Sequence, residues 1–286
     1  GSYALDANTT ASNNTGIGYY SLSANTTGTG NVAVGGASLI KNTTGDSNVA
    51  VGYDSLGENT TAANNTAVGY QSLQINTTGA SNTAIGKDAL KSMVSNSYCT
   101  AVGHAALEDN TVSHGTAVGY GALRNNTTGD YNTAIGTQAL ETNTTGDRCL
   151  AAGQYALFAN TTGSQNTSIG QNSMASNTTG SYNAVLGRTA LAANTTGSNN
   201  TAVGRAALDA NTTADNNTAV GYDALGVNTT GTQNTAVGGA ALDANTTGDY
   251  SVAIGYNALT AATTGGYNTA VGRGALQANT TAGHNT

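Results

Sequence analysis

The glycine at position 18 returns at Gly35, Gly52 and Gly69, seventeen residues apart each time. It continues through Gly86, Gly103, Gly119, Gly136, Gly153, Gly170, Gly187, Gly204, Gly221, Gly238, Gly255 and Gly272, with a single interval of sixteen between Gly103 and Gly119. Gly1 stands in the same phase. No other residue replaces this glycine, which points to a backbone of positive φ or to a close approach by a neighbouring chain segment. A strict short period of this kind is the sign of a stacked repeat architecture, in which one small unit is copied along an axis.

The other fixed letters define the unit. Leucine stands four residues after each glycine, as at Leu22, Leu73, Leu123 and Leu225, with Met174 the single exception. Alanine or serine always precedes that leucine. Valine or isoleucine precedes most of the glycines, as at Val68 and Val220, and alanine usually comes one step earlier. Segments this short, with glycine in every period, do not make helices. Short strands between glycine and asparagine corners fit the pattern. The fold class expected is therefore all-β: a parallel β-solenoid, or β-roll, of about seventeen 17-residue coils. At roughly 4.8 Å per coil the stack would be about 80 Å long. Residues 1–286 read as a single repetitive array, irregular over residues 91–119, and as a stretch of a longer one. The core expected from the pattern is Leu22, Leu73, Leu123, Leu225, Val68 and Val220, with glycine corners at Gly18, Gly35, Gly52, Gly69, Gly119, Gly221 and Gly238.

Composition narrows the use of such a shape. Charged residues are 8% of the chain and the net charge is −7, against roughly 25% charged residues in ordinary soluble domains. An acidic chain is a poor partner for nucleic acid or an anionic membrane surface. No apolar run is long enough for direct membrane insertion. Disorder, the other reading of a low-charge, low-aromatic composition, does not require leucine and valine in fixed phase.

Neighbouring residues on a strand point to opposite faces. Both members of the Ala-Val pair are restricted, and so are both members of the Ala/Ser-Leu pair. If one of each fills the interior, the other lies on an outer face that is also covered, most simply by self-association as a homotrimer.

Two asparagine ladders are expected, one opening the NTT corner (Asn25, Asn42, Asn194) and one preceding TAVG (Asn48, Asn65, Asn217). Stacked amides can bond from coil to coil, and asparagine also suits turns. Each NTT is formally an N-glycosylation sequon, but turn chemistry already accounts for it. Cys99 and Cys149 replace the second type of asparagine. Three coils apart, or roughly 14 Å, they are too distant for an intrachain disulfide.

Chemistry is sparse. His104, Glu108, Asp109 and His114 gather in the irregular stretch, at spacings that match no metal-ligand pattern. No nucleophile elbow, phosphate-binding loop or HExxH motif is present. The scattered acids Asp54, Asp88, Glu108 and Asp223 do not form the paired carboxylates of a glycan-cleaving spike. Neither catalysis nor a cofactor is expected. Variation is concentrated just after each glycine and each leucine. The tyrosines there, Tyr19, Tyr53, Tyr70, Tyr120, Tyr222 and Tyr256, are the candidate recognition surface for a glycan or protein receptor.

The consensus NTAVGYxALxxNTTGxx resembles repeats of phage tail-fibre-like and bacterial surface proteins, often found upstream of an intramolecular-chaperone domain. Its NxAVG and NTAIG segments also resemble the head repeats of YadA-like trimeric autotransporter adhesins. The resemblance implies a left-handed parallel β-roll assembled as a trimer, although the adhesin heads are less regular than the period here. It implies a non-enzymatic structural fibre with an attachment role, extracellular or virion-borne. The alternative is an ice-binding solenoid that uses the NTT threonine ladders.

Overall fold

The structure is a computed structural model that describes all residues, Gly1–Thr286. It is all-β: a parallel β-solenoid with no helix and sixteen three-residue strands. The corner glycines number seventeen, and Gly1 has no strand before it. Two compact units are distinguished, Gly1–Thr145 and Gly146–Thr286. Each contains eight strands in sequence order, paired in parallel at one strand per coil. In the first, Thr66, Ala67 and Val68 pair with Thr83, Ala84 and Ile85. In the second, Thr201, Ala202 and Val203 pair with Thr218, Ala219 and Val220.

Only the TAV segment is a strand. The Ala-Leu segment, expected as a second one, is a turn in which leucine takes φ near +50° (Leu39 50°, Leu73 51°, Leu225 52°). That conformation costs an L-residue on the order of 1–2 kcal/mol. It also breaks the strand alternation, so alanine and leucine both point inward: Ala224 and Leu225 are each fully buried. The outward face inferred from this pair therefore does not exist. Inter-coil backbone bonds nevertheless continue round the turn, as in Leu225 N–H to Ala241 O (3.0 Å) and Val227 N–H to Asp243 O (3.3 Å).

The positive φ accounts for a choice the sequence makes throughout. Leucine, or methionine at Met174, can occupy the left-handed region, whereas the β-branched isomers fit it poorly. Valine and isoleucine are absent from the leucine position and stand most often at the extended one just before the glycine. Leu22, Leu73, Leu123 and Leu225 are fully buried, as expected. Val68 and Val220 are not core residues. On a strand with alternating faces, Ala67 and Ala219 take the interior, and the valines face outward, half-buried. The inner position is narrow, and alanine fits it.

The corner glycines mark a close approach of successive coils. Gly69 has φ +141°, and a Cβ there would lie 2.5 Å from the carbonyl oxygen of Gly86. In unit two a Cβ on Gly221 would lie 2.6 Å from Gly238 O.

Both asparagine ladders form, and together they close the coil. Asn194 donates one Nδ2 hydrogen to Asn177 Oδ1 in the preceding coil (2.8 Å) and the other to Gly197 O of its own corner (2.9 Å). The same Gly197 carbonyl accepts from Asn183 Nδ2, the ladder residue that precedes a strand (3.0 Å). Asn183 Oδ1 in turn accepts the backbone N–H of Asn200 (2.9 Å). Each of these asparagines is buried, and each uses both a donor and an acceptor; aspartate lacks the donor and leucine lacks both.

The sixteen-residue coil keeps its register. Thr100 and Val102 still pair with Thr116 and Val118. Val112 O accepts from Asn110 Nδ2, as the corner glycine carbonyl does elsewhere. His114 also keeps the left-handed corner conformation, with φ 60°. The missing residue therefore falls at the second threonine of the NTT corner, and an exposed loop position absorbs the loss.

Leucine's backbone requirement is testable by two near-isosteric substitutions. Leu208→Ile is expected to destabilise by roughly 2 kcal/mol or more, because a β-branched residue is forced to positive φ. Leu208→Met, by the precedent of Met174, is expected to cost less than about 1.5 kcal/mol. Denaturant midpoints of the two variants measure the difference; equal midpoints would remove the argument.

Candidate functional site

With backbone and amides committed to the stack, the candidate recognition residues are found at the exposed corners. Tyr19, Tyr53, Tyr70, Tyr120, Tyr222 and Tyr256 all lie on the surface, between 47% and 59% exposed. They follow the corner glycine, whose positive φ turns the chain outward. Tyr53 stacks on Tyr70 one coil on, with ring centroids 5.7 Å apart. Tyr120 lies against His104 (5.4 Å). Arg205 and Arg273 sit over the rings of Tyr222 (5.3 Å) and Tyr256 (6.0 Å).

A second aromatic rank escaped sequence reasoning. It occupies the residue two places before TAV, at φ near +60°. There Tyr98, His114 and Tyr131 form one stack, with centroids 5.7 and 4.9 Å apart. Tyr250, Tyr267 and His284 form another, at 4.9 Å for each step. The ring spacing matches the coil rise, so each ring covers its neighbour and presents mainly an edge. The phase of these residues was readable in the sequence, but their identity varies too much to stand out as a motif. Beside the second stack is an open hollow of about 370 Å³, lined by Asp249, Gly266, Tyr267, Gly283 and His284 among others.

The position just before this rank looked variable but is structural. Its side-chain oxygen accepts the backbone N–H of the coil before, as in Ser164 N–H to Ser181 Oγ (3.0 Å) and Ser198 N–H to Asp215 Oδ1 (2.6 Å). Serine and aspartate recur there for that reason, and threonine at Thr29 and Thr232 donates its hydroxyl to the aspartate one coil on. The first threonine of each NTT is likewise engaged: Thr178 Oγ1 donates to Thr195 O (3.0 Å) and Thr195 Oγ1 to Thr212 O (3.0 Å). The second threonine is exposed, and the first is half-buried in most coils.

The polar residues of the irregular stretch are not brought to one point. His104 faces Asp88, with Nε2 3.9 Å from Oδ2, and Glu108 pairs with Arg124 (2.7 Å). Asp109 accepts from Ser92 Oγ (3.0 Å), and His114 lies in its aromatic stack with Nδ1 3.5 Å from Asp130. Asp88 is almost fully buried, with Lys87 (3.4 Å) and Lys91 (3.2 Å) as counter-charges. No group of three metal-ligating side chains occurs.

Both cysteines are buried thiols outside any disulfide. Met93 and Cys99 take the places of the two ladder asparagines in one coil. Asn76 Oδ1, deprived of its ladder donor, instead accepts the N–H of Gly79 (3.1 Å). Burial pushes the Cys149 thiol up to about 11 and raises that of Cys99 as well. Neither is an activated nucleophile.

In unit two, Asp209 and Asp243 are both shifted upward, first by partial burial and then by the charge of Asp223. A Cβ on Gly226 would lie 3.0 Å from Asp243 Oδ1 and 3.2 Å from Asp223 O, so glycine leaves room for the Asp243 carboxylate there.

No family model matches the chain, and no curated protein matches it. The protein is thus defined by its architecture: a β-solenoid repeat with an interior of leucine, alanine and hydrogen-bonded asparagine, and with aromatic corners.

The aspartate group has a consequence for stability. Because the folded pKa values of Asp209 and Asp243 lie above the unfolded ones, the folded state binds more protons, and stability falls as pH rises above the ordinary aspartate value of about 4. Both groups are largely solvated, so the effect is a few tenths of a kcal/mol. Asp223→Asn is expected to flatten this dependence and raise neutral-pH stability slightly. Unfolding midpoints across the acid range measure it; a steeper pH dependence in the variant would contradict the assignment.

Proposed function

We propose that this protein is a non-enzymatic structural fibre segment that works outside the cell or on a virion, assembled side by side with copies of itself as a homotrimer. The observation that carries this reading is the outer face of the strand ladder. Ile85, Val118 and Ile135 in unit one, and Ile169, Leu186 and Ile254 in unit two, are 36–50% exposed. They form an apolar rank, one side chain per coil, and half-buried threonine stands beside Ile85, Val118 and Ile135 on the same strand face. Exposed apolar surface of this extent marks an interaction site. A partner must match a side chain repeated at every coil, and another copy of the same stack has that pitch by construction. Charge is absent from the rank, as a buried interface requires. The tyrosine corners beyond it are left for a glycan or protein receptor, in keeping with an attachment role.

The ice-binding alternative draws less support. The first threonine hydroxyl of each NTT is consumed within the stack, which leaves one free rank where a lattice match needs two.

Sedimentation equilibrium of the purified chain is expected to give three times the monomer mass. The double variant Val203→Lys/Val237→Lys, which places charge on the outer rank of unit two, is expected to weaken association at least tenfold while the far-ultraviolet strand signal persists. A folded monomer of the unmodified chain at micromolar concentration would overturn the proposal.

A further inference from the structure

Every NTT corner is a formal acceptor for asparagine-linked glycan, yet in the interior coils the fold places these asparagines where no glycan can stand. Asn160, Asn177, Asn194 and Asn211 are fully buried. Asn177 donates its two Nδ2 hydrogens to Asn160 Oδ1 (2.8 Å) and Gly180 O (3.0 Å), and Asn211 to Asn194 Oδ1 (3.0 Å) and Ala214 O (3.1 Å). There is no spare volume beside them. A single Cβ added to Gly197 would lie 2.4 Å from Asn194 Oδ1 and 2.5 Å from Ala214 O.

N-glycosylation forms a bond between Nδ2 and the anomeric carbon of a saccharide. The lipid-linked pyrophosphate leaves the sugar, and Nδ2 gives up one proton. The product keeps one N–H where the ladder uses two, and it carries a bulky, solvated group. We infer that the NTT corners are N-glycan acceptors only while the chain is unfolded, and that a glycan on any interior corner blocks closure of its coil. A coil that cannot close cannot stack on its neighbours, and in a one-dimensional array stability depends on those interfaces. A cell making this protein must therefore fold it before, or away from, any enzyme that glycosylates nascent chains.

The chain supplies its own control. Asn64, Asn199 and Asn216 open Asn-Asn-Thr sequons and have exposed side chains. A glycan on these is compatible with the fold of a single chain, because the residue that enters the ladder is the second asparagine (Asn65, Asn200, Asn217).

The full chain, directed by a secretory leader into a glycosylating compartment, tests the inference. Two arms are compared: one with synthesis of the lipid-linked oligosaccharide active, one with it inhibited. The protease-resistant fraction is collected from each, and glycosylated sites are mapped by mass spectrometry. The inhibited arm is expected to give several-fold more resistant protein. In the active arm, interior NTT sites are expected to be occupied only in the sensitive fraction, with any glycans in the resistant fraction at exposed asparagines. Resistant molecules bearing a glycan at Asn177, Asn194 or Asn211 would overturn the inference. So would an active arm whose interior NTT sites remain unoccupied, since the chain would then not be an acceptor before folding.

Discussion

Everything in this fold depends on a single carbonyl in each coil. At the NTTG corner it accepts two side-chain amide hydrogens, one from the asparagine that opens the corner and one from the asparagine that leads into a strand of the coil before. Gly197 O receives Asn194 and Asn183 in this way, and Gly231 O receives Asn228 and Asn217. Those amides in turn bond to their counterparts one coil away, so the corner is closed within a coil and joined between coils by the same groups. A coil of this size holds little more than one leucine, one methyl group from the inner strand position and a small residue. Its interior is too thin for a hydrophobic core of ordinary size, and a saturated polar network supplies the missing order. Unpaired amides in that position would each cost about 1–3 kcal/mol, so the ladder is valuable because it is complete.

The backbone conformation carries a cost that the burial offsets. Leucine at φ near +50° in each coil is unfavourable by itself, and burying its side chain contributes roughly 1.5–3 kcal/mol. Glycine accepts the close approach of successive coils, and alanine or serine fits the space beneath the turn. Where the pattern breaks, the network adjusts locally. At Met93 and at Ala262 a ladder asparagine is absent, and the oxygen left over turns to the N–H of its own corner glycine, Gly79 or Gly248 (both 3.1 Å). The sixteen-residue coil survives because its missing residue comes from the solvent-facing threonine position.

The period, the strand before the glycine and the two amide ladders were legible in the sequence, because each is a single residue type held in phase. The turn at Ala-Leu was not. Restriction on two adjacent positions looked like a strand with both faces covered, whereas a positive φ at leucine brings both side chains inside. On the strand itself both Ala and Val are visibly restricted, but the pattern does not say which faces in, and Ala67 and Ala219, not Val68 and Val220, fill the interior. The second aromatic rank was hidden for the opposite reason. Its conformation is constant, but tyrosine, histidine, asparagine and glutamine all satisfy it, and stacking such as that of Tyr250, Tyr267 and His284 follows from pitch rather than from a motif. The tyrosines after the glycine were visible because they recur. What they contact is not written in their spacing.

Hydrogen exchange of the asparagine side-chain amides tests the account at its centre. Both Nδ2 hydrogens of interior residues such as Asn177, Asn194 and Asn211 are expected to exchange as slowly as the strand amides of the same coils, while the exposed Asn199 and Asn216 exchange at the rate of free amides. Fast exchange at the interior residues, with the strand amides still protected, would mean that the coils stack without the ladder, and the account would fail.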